Sequence, residues 1–212
     1  MKIRFTATAL ATVLAAGTAA AAPANASPAP ERSAGTRSLA TVLAADGTRF
    51  DHNWRDFDIV EKAVLTVLDA KPDSPVGVLT KGRKRVTAFI PTDAAFRRLV
   101  TDLTGHTPQT ERATFKAVAS VADVDTLEAI LLYHVVPGAT ITSAQAAKAD
   151  GAKLKTAQGG VIKVNVTKNG IRLIDRDPDA PNARVLPRAL DINKGNRQIA
   201  HGISQVLRPA NL

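Results

Sequence analysis

The sequence predicts an α+β fold, with helices in its first half and mostly antiparallel strands in its second. Three observations carry this expectation. Apolar residues recur at helical spacing from about residue 58 to residue 134, with one alternating interruption at Val86–Ile90. Beyond Pro137-Gly138 the pattern becomes alternation, clearest in "VIKVNVT" at Val161–Thr167. An Asn169-Gly170 hairpin signal then sends the chain back through "IRLID".

The first residues stand apart from this pattern. Lys2 and Arg4 precede an apolar run through Leu10, Val13 and Leu14, and "ANA" at Ala24–Ala26 supplies small residues for cleavage. Residues 1–26 are therefore expected to be a secretory signal peptide cut after Ala26. The run is too short to span a bilayer, which takes about 20 strongly apolar residues. Residues 27–37 are rich in Pro, Ala, Ser and Gly and read as a flexible lead-in. Residues 38–212 then suit a single domain. With no cysteine the chain has neither a disulfide nor a lipid-modified cysteine, and "ISQVLRPANL" carries no apolar tail or sorting motif. The expectation is a secreted monomer, extracellular or wall-associated, with no membrane insertion.

Along the domain, Ser38–Gly47 reads as a short helix stopped by Gly47. A better-specified helix starts at Asp58, with Glu61 three residues on as in a capping box. Its apolar face is Ile59, Val60, Ala63, Val64, Val67 and Leu68, and Pro72–Pro75 ends it. Val86–Ile90 is a strand buried on both faces, and Pro91 cannot extend its ladder. Thr92 is placed to cap the next helix, which turns Phe96, Leu99, Val100 and Leu103 inward, with Asp93 in its first turn. Replacing Thr92 by Ala is thus expected to cost about 1 kcal/mol, as loss of a helix cap does. Further helices are expected at Thr110–Ala119 and from Asp125, with Glu128 closing a second capping box. Pro178–Asn196 reads as a long loop with one strand near Val185, and Arg197–Leu207 as the closing strand.

The formal net charge is +9, and its distribution is uneven. Residues 27–128 hold 14 basic and 14 acidic side chains, whereas residues 129–212 hold 12 basic and 5 acidic. Within that second half, Lys153, Lys155, Lys163, Lys168 and Arg172 lie at alternating or turn positions opposite Leu154, Ile162, Val164, Ile171 and Leu173. Period-two alternation puts the apolar set on the core and the basic set on one exposed face. The plainer reading is a solvated face kept for solubility. The sharper one is an anion-binding face for an anionic polysaccharide. At 4% aromatics the chain lacks stacking platforms for single-stranded nucleic acid, and no nucleic-acid partner is expected.

Catalytic and metal signatures are missing. His52, His106, His134 and His201 form no HxxxH or HExxH spacing, and no metal or cofactor is expected. His134 and His201 sit in apolar segments and could meet in space, but each fits a neutral, buried imidazole. Ser204 in "GISQV" lacks the second glycine of a nucleophile elbow. Asp175, Asp177 and Asp179 alternate like calcium-loop ligands, but Pro178 interrupts them and no closing glutamate follows, so a solvated loop is expected.

Three segments together are more specific. "FIPTDAAFRRL" (Phe89–Leu99), "LLYHVVPG" (Leu131–Gly138) and "NRQIAHGISQVLRP" (Asn196–Pro209) occur in that order. They resemble the signature elements of the fasciclin domain, and the chain resembles a secreted bacterial single-domain fasciclin-like protein. The resemblance implies a helical layer packed on a mostly antiparallel β-wedge, and an extracellular adhesion or matrix-binding role without catalysis. It marks Pro91, Thr92, Asp93, Phe96, Tyr133, His134 and His201 as motif residues, expected to be structural. Ser204-Gln205 departs from the Asp-Gly common in the closing motif. The implied partner is a cell-surface or matrix component. The alternative is an extracellular small-ligand carrier or enzyme built on the loop 174–196. That reading requires a concave pocket with convergent polar groups.

Overall fold

The computed structural model describes residues 34–211 apart from Asp46 and Thr48. The expected signal peptide and most of the lead-in lie outside the described residues. At the end of the lead-in, the Gly35 N–H donates to the Gly195 carbonyl (2.8 Å) and the Arg37 N–H to Asn196 Oδ1 (3.0 Å).

The helical layer consists of α1 (Leu39–Leu43), α2 (Asp58–Ala70), α3 (Asp93–Thr104), α4 (Glu111–Val121) and α5 (Val124–Tyr133). Most inward residues follow the expected spacing: Ile59, Val60, Ala63, Val64 and Val67 on α2, and Phe96, Leu99 and Val100 on α3 are buried, whereas Leu68 is half-buried and Leu103, expected inward near the end of α3, is exposed. Gly105 closes α3 with φ 71°, a conformation that a Cβ makes costly.

Two expected caps are corrected. Asp58 does not cap α2; it is the first helical residue, after Phe57, which offers no side-chain acceptor. For α5 the cap is Asp123, whose Oδ1 accepts from the Thr126 N–H at 2.8 Å, two residues before the expected Asp125. Glu128 closes no box there and accepts instead from Lys71 and from the Ser74 hydroxyl.

Two sheets lie in the second layer. In the first, β1 (Val86–Pro91) is central, antiparallel to β2 (Val135–Pro137) and parallel to β7 (Gln198–Ile203). The short α6 (Ser143–Ala146) follows β2, opened by a capping box between Thr142 and Gln145. The second sheet runs β3 (Lys153–Lys155), β4 (Val161–Thr167), β5 (Gly170–Ile174) and β6 (Ala183–Arg184), antiparallel throughout. Lys168 and Asn169 form the turn between β4 and β5, and Gly170 (φ 105°) pairs with Thr167 to open β5.

Every residue of β1 is buried, because its two faces serve two cores. Val86, Ala88 and Ile90 pack with the helices, while Phe89 packs with Ile162, Val164 and Leu173 of the second sheet. A parallel pairing buried on both faces accounts for the apolar runs in both strands.

Candidate functional site

The corner between β1 and α3 is built by backbone and by Asp93. Thr92 occupies the cap position, but its side chain accepts no capping hydrogen bond, contrary to expectation. Its carbonyl accepts from the Ala95 and Phe96 N–H groups, and its N–H extends the parallel ladder by donating to Ile203. Asp93, fully buried, caps a different helix: its Oδ1 accepts from the Ile59 N–H of α2 at 3.0 Å. In return the Asp93 and Ala94 N–H groups donate to the carbonyls of Asp56 and Trp54. The start of α3 and the start of α2 thus hold each other. Burial pushes the Asp93 carboxyl well above the usual carboxylate range, and a hydrogen bond with the Asp56 side chain pushes the same way.

The Tyr-His pair joins the layers. Tyr133 is fully buried, and its hydroxyl donates to the Val161 carbonyl (3.0 Å), tying the end of α5 to the start of β4. A Cβ at Gly160 would lie 2.7 Å from Tyr133 Cε2, so only glycine lets the chain pass over that ring. Burial raises the Tyr133 hydroxyl to about 12, with the Asp175 charge adding to it. Next to it, His134 Nδ1 donates to the Ile130 carbonyl (2.8 Å), and Nε2 accepts from the Leu207 N–H (2.9 Å). That arrangement needs the neutral ring, and burial lowers the His134 imidazole to about 4.

His201 is held the same way in another place. Its Nε2 donates to the Ile141 carbonyl (2.8 Å), and its Nδ1 accepts from the Asp191 N–H (3.3 Å). The two histidines therefore serve separate connections and share no ligand. Pro91 ends β1, and Phe96, 2% exposed, packs in the helical core.

The expected solvated loop at Asp175–Asp179 is also corrected. Asp177 is 3% exposed, and its Oδ2 accepts from Arg208 (2.9 Å). Asp175 Oδ2 accepts from the Arg208 N–H (2.8 Å), and Asp102 takes the other side of the guanidinium (2.6 Å). The alternating aspartates fasten the C-terminal segment.

The cavity beside His201 measures about 40 Å³ and is lined with apolar surface from residues such as Phe89, Ile141, Leu154 and Leu173. Sites for small molecules usually measure about 300–1,000 Å³. A larger open groove of about 560 Å³ runs past Trp54, Arg97, Arg98 and Arg208. Its polar groups are already engaged: Arg97 stacks on Trp54 and donates to Pro108, Arg98 donates to Ser204, and Arg208 holds Asp102 and Asp177.

The outer face of the second sheet differs in every respect. Register pairs Lys153 directly with Lys163, and Leu154 with Ile162. Arg172 pairs with Asn165 on one side and with Arg184 on the other. Lys153, Lys155, Lys163, Arg172 and Arg184 consequently share the face opposite Leu154, Ile162, Val164 and Leu173. Among the described residues none of these cations has a carboxylate within ion-pair distance. Lys168 is exposed in the β4–β5 turn at one end of the sheet. Arg184 is an addition that sequence reasoning missed, because β6 is only two residues long inside a turn-rich segment.

The fasciclin domain family matches this chain over residues 66–209. The chain belongs to the fasciclin family. Among solved structures it is similar to a fasciclin domain pair from the insect cell adhesion molecule fasciclin I, at 18% identity and a TM-score of 0.47. That match covers 69% of this chain and 45% of the other, so this chain spans less than half of it. No curated protein matches. The assignment rests on the family match, which takes in all of β1 through β7 and with them all three motif segments. Fasciclin domains are typically extracellular modules of adhesion-related proteins. Among the described residues no helix is long and apolar enough to cross a membrane.

Proposed function

We propose that this fasciclin domain is a secreted binding module that holds an anionic cell-surface or matrix polymer, such as an acidic polysaccharide, on the outer face of its second sheet. Lys153, Lys155, Lys163, Arg172 and Arg184 form that surface, with Lys168 at its edge. The family's association with adhesion supports the general role, and the first 26 residues, with their export pattern, support secretion.

One observation carries the choice of surface. Lys153 faces Lys163 and Arg172 faces Arg184 across neighbouring strands, with no counter-charge among the described residues. Like charges directly opposite in an antiparallel pair destabilise the sheet. A bound polyanion removes that repulsion, so the arrangement favours the occupied state. Rows two residues apart along a strand are roughly 7 Å apart, and adjacent strands about 4.8 Å, which spreads the cations as a grid instead of a pocket. Such a surface reads charge density more than sugar identity, so specificity is low and salt dependence steep.

The test compares two fourfold variants on an immobilised acidic polysaccharide. One carries Lys153→Gln, Lys155→Gln, Lys163→Gln and Lys168→Gln; the other carries Lys62→Gln, Lys81→Gln, Lys84→Gln and Lys116→Gln. The first elutes at markedly lower salt than the second, although both lose the same charge. Equal losses would reduce the interaction to net charge and end the proposal. The carrier or enzyme reading on loop 174–196 has weaker support: the enclosed cavity beside the loop is small and apolar, and the larger hollows bordered by Pro181, Arg188 and Ile192 are open grooves.

A further inference from the structure

The helical layer contains a second charged region, of opposite sign and differently built. Asp51, Asp56 and Glu111 each place a carboxylate oxygen within 4.8 Å of the other two. Asp51 and Asp56 come from the segment before α2, and Glu111 is the first residue of α4. Glu111 is 1% exposed. Its Oε2 accepts from the His52 N–H at 3.1 Å, while its Oε1 is buried with no hydrogen-bond partner. Neither Asp51 nor Glu111 forms an ion pair among the described residues.

The helix N-terminus does not account for this oxygen. The cap of α4 is Thr110, whose side chain takes the Ala113 N–H at 3.1 Å. A buried carboxyl oxygen with no hydrogen-bond partner is costly, and such a group is ordinarily hydrogen-bonded, paired or bound to a metal. We propose that Asp51, Asp56 and Glu111 bind a calcium-sized divalent cation, a site independent of the basic sheet face.

The donor set fixes the class of ion. All donors are carboxylate oxygens, with no histidine or thiol in the cluster, which selects hard cations over zinc or copper. Calcium binds oxygens at about 2.4 Å, so two ligands of one ion lie at most about 4.8 Å apart. Asp51 is exposed and opens the site to solvent, which supplies water for the remaining positions of a calcium shell. The bound ion would bridge the segment before α2 to the first turn of α4, so binding and folding are coupled.

The full chain is melted in EDTA and in 10 mM CaCl2, alongside Glu111→Gln and Asp51→Asn, and calcium binding is followed by calorimetry. Extracellular calcium modules have Kd values of about 10⁻⁴–10⁻³ M. At a roughly tenfold excess over Kd, the wild-type chain melts about 3–5 °C higher with calcium than with EDTA. Glu111→Gln abolishes that difference, and Asp51→Asn weakens calcium binding about tenfold or more. Asp51 lies on the surface, and its Oδ1 accepts from the Asn53 N–H at 2.8 Å, an acceptor role that asparagine keeps, so the second variant is informative even if the first folds poorly. A wild-type chain whose melting ignores calcium overturns the proposal. A calcium shift of equal size in wild type and both variants assigns the binding to other carboxylates and overturns it too.

Discussion

Tyr133, His134 and His201 engage each hydroxyl and ring nitrogen with a backbone group, whereas Lys153, Lys155, Lys163, Arg172 and Arg184 share one sheet face with no ion pair among the described residues. The first set is buried and joins layers; the second lies on a sheet face, and its side chains form no ion pair among the described residues. The difference separates two uses of polarity. A buried polar group must be satisfied by the fold itself, so its loss is felt as stability. An exposed like-charged set is solvated by water and counter-ions or, under the proposed function, by a bound polyanion, so its loss is expected to be felt as binding instead.

The comparison breaks if stability and binding fail to part along this line. The largest effect is expected at Tyr133. Tyr133→Ala removes a fully buried aromatic ring and leaves a cavity against Gly160, at a cost of about 4 kcal/mol in urea unfolding. Tyr133→Phe, which loses the bond to Val161, costs about 1 kcal/mol. A tyrosine that could be truncated at no cost would leave the layers joined by something else.

His134 sharpens the same line through pH. Its folded value is lowered to about 4 from 6.5, so the unfolded chain binds the extra proton between those values. Its contribution is therefore fully present above pH 6.5, declines as pH falls toward 4, and amounts to about 3 kcal/mol across that window. His134→Gln should flatten this part of the stability profile. An unchanged slope in the variant would contradict the neutral buried ring.

At the β1–α3 corner the effects are smaller. Asp93→Ala removes the acceptor that caps α2 and costs about 1 kcal/mol. Thr92→Val keeps the shape and deletes a buried hydroxyl that caps nothing, so it costs less than the roughly 1 kcal/mol of a lost cap. A larger loss in Thr92→Val would restore Thr92 as the cap. The smallest effect belongs to the sheet face: Arg184→Gln changes stability by less than about 0.5 kcal/mol, with a slight gain expected from removing a like-charged pair.

These elements also show what could be read from the sequence. Helical spacing on α2, α3 and α4 and alternation on β4 and β5 were legible because both depend on near neighbours. The three motif segments carried the family because they occur together and in order. The parallel pairing of β1 with β7 was not legible, since it joins Val86 to Gln198 across most of the chain. Asp58-x-x-Glu61 looked like a local cap, yet the acceptor comes from Asp93 on another helix. Asp175-x-Asp177-x-Asp179 looked solvated for the same reason: its partner, Arg208, is not a near neighbour but follows 31–33 residues later, beyond β7. At the sheet face the alternation exposed the lysines, but Arg184 depended on a two-residue strand that only tertiary pairing defines.

Lysine reactivity in the presence and absence of an acidic polysaccharide tests the central claim most directly. The intact chain is acetylated at limiting reagent, and each lysine is quantified by mass spectrometry. Binding on the sheet face protects Lys153, Lys155 and Lys163 most and Lys168 less, while Lys62, Lys81, Lys84 and Lys116 keep their reactivity, and the protection disappears in 1 M salt, where the Debye length is about 3 Å. Uniform protection of both groups, or protection confined to Lys62, Lys81, Lys84 and Lys116, would contradict the assignment of the polymer to this face.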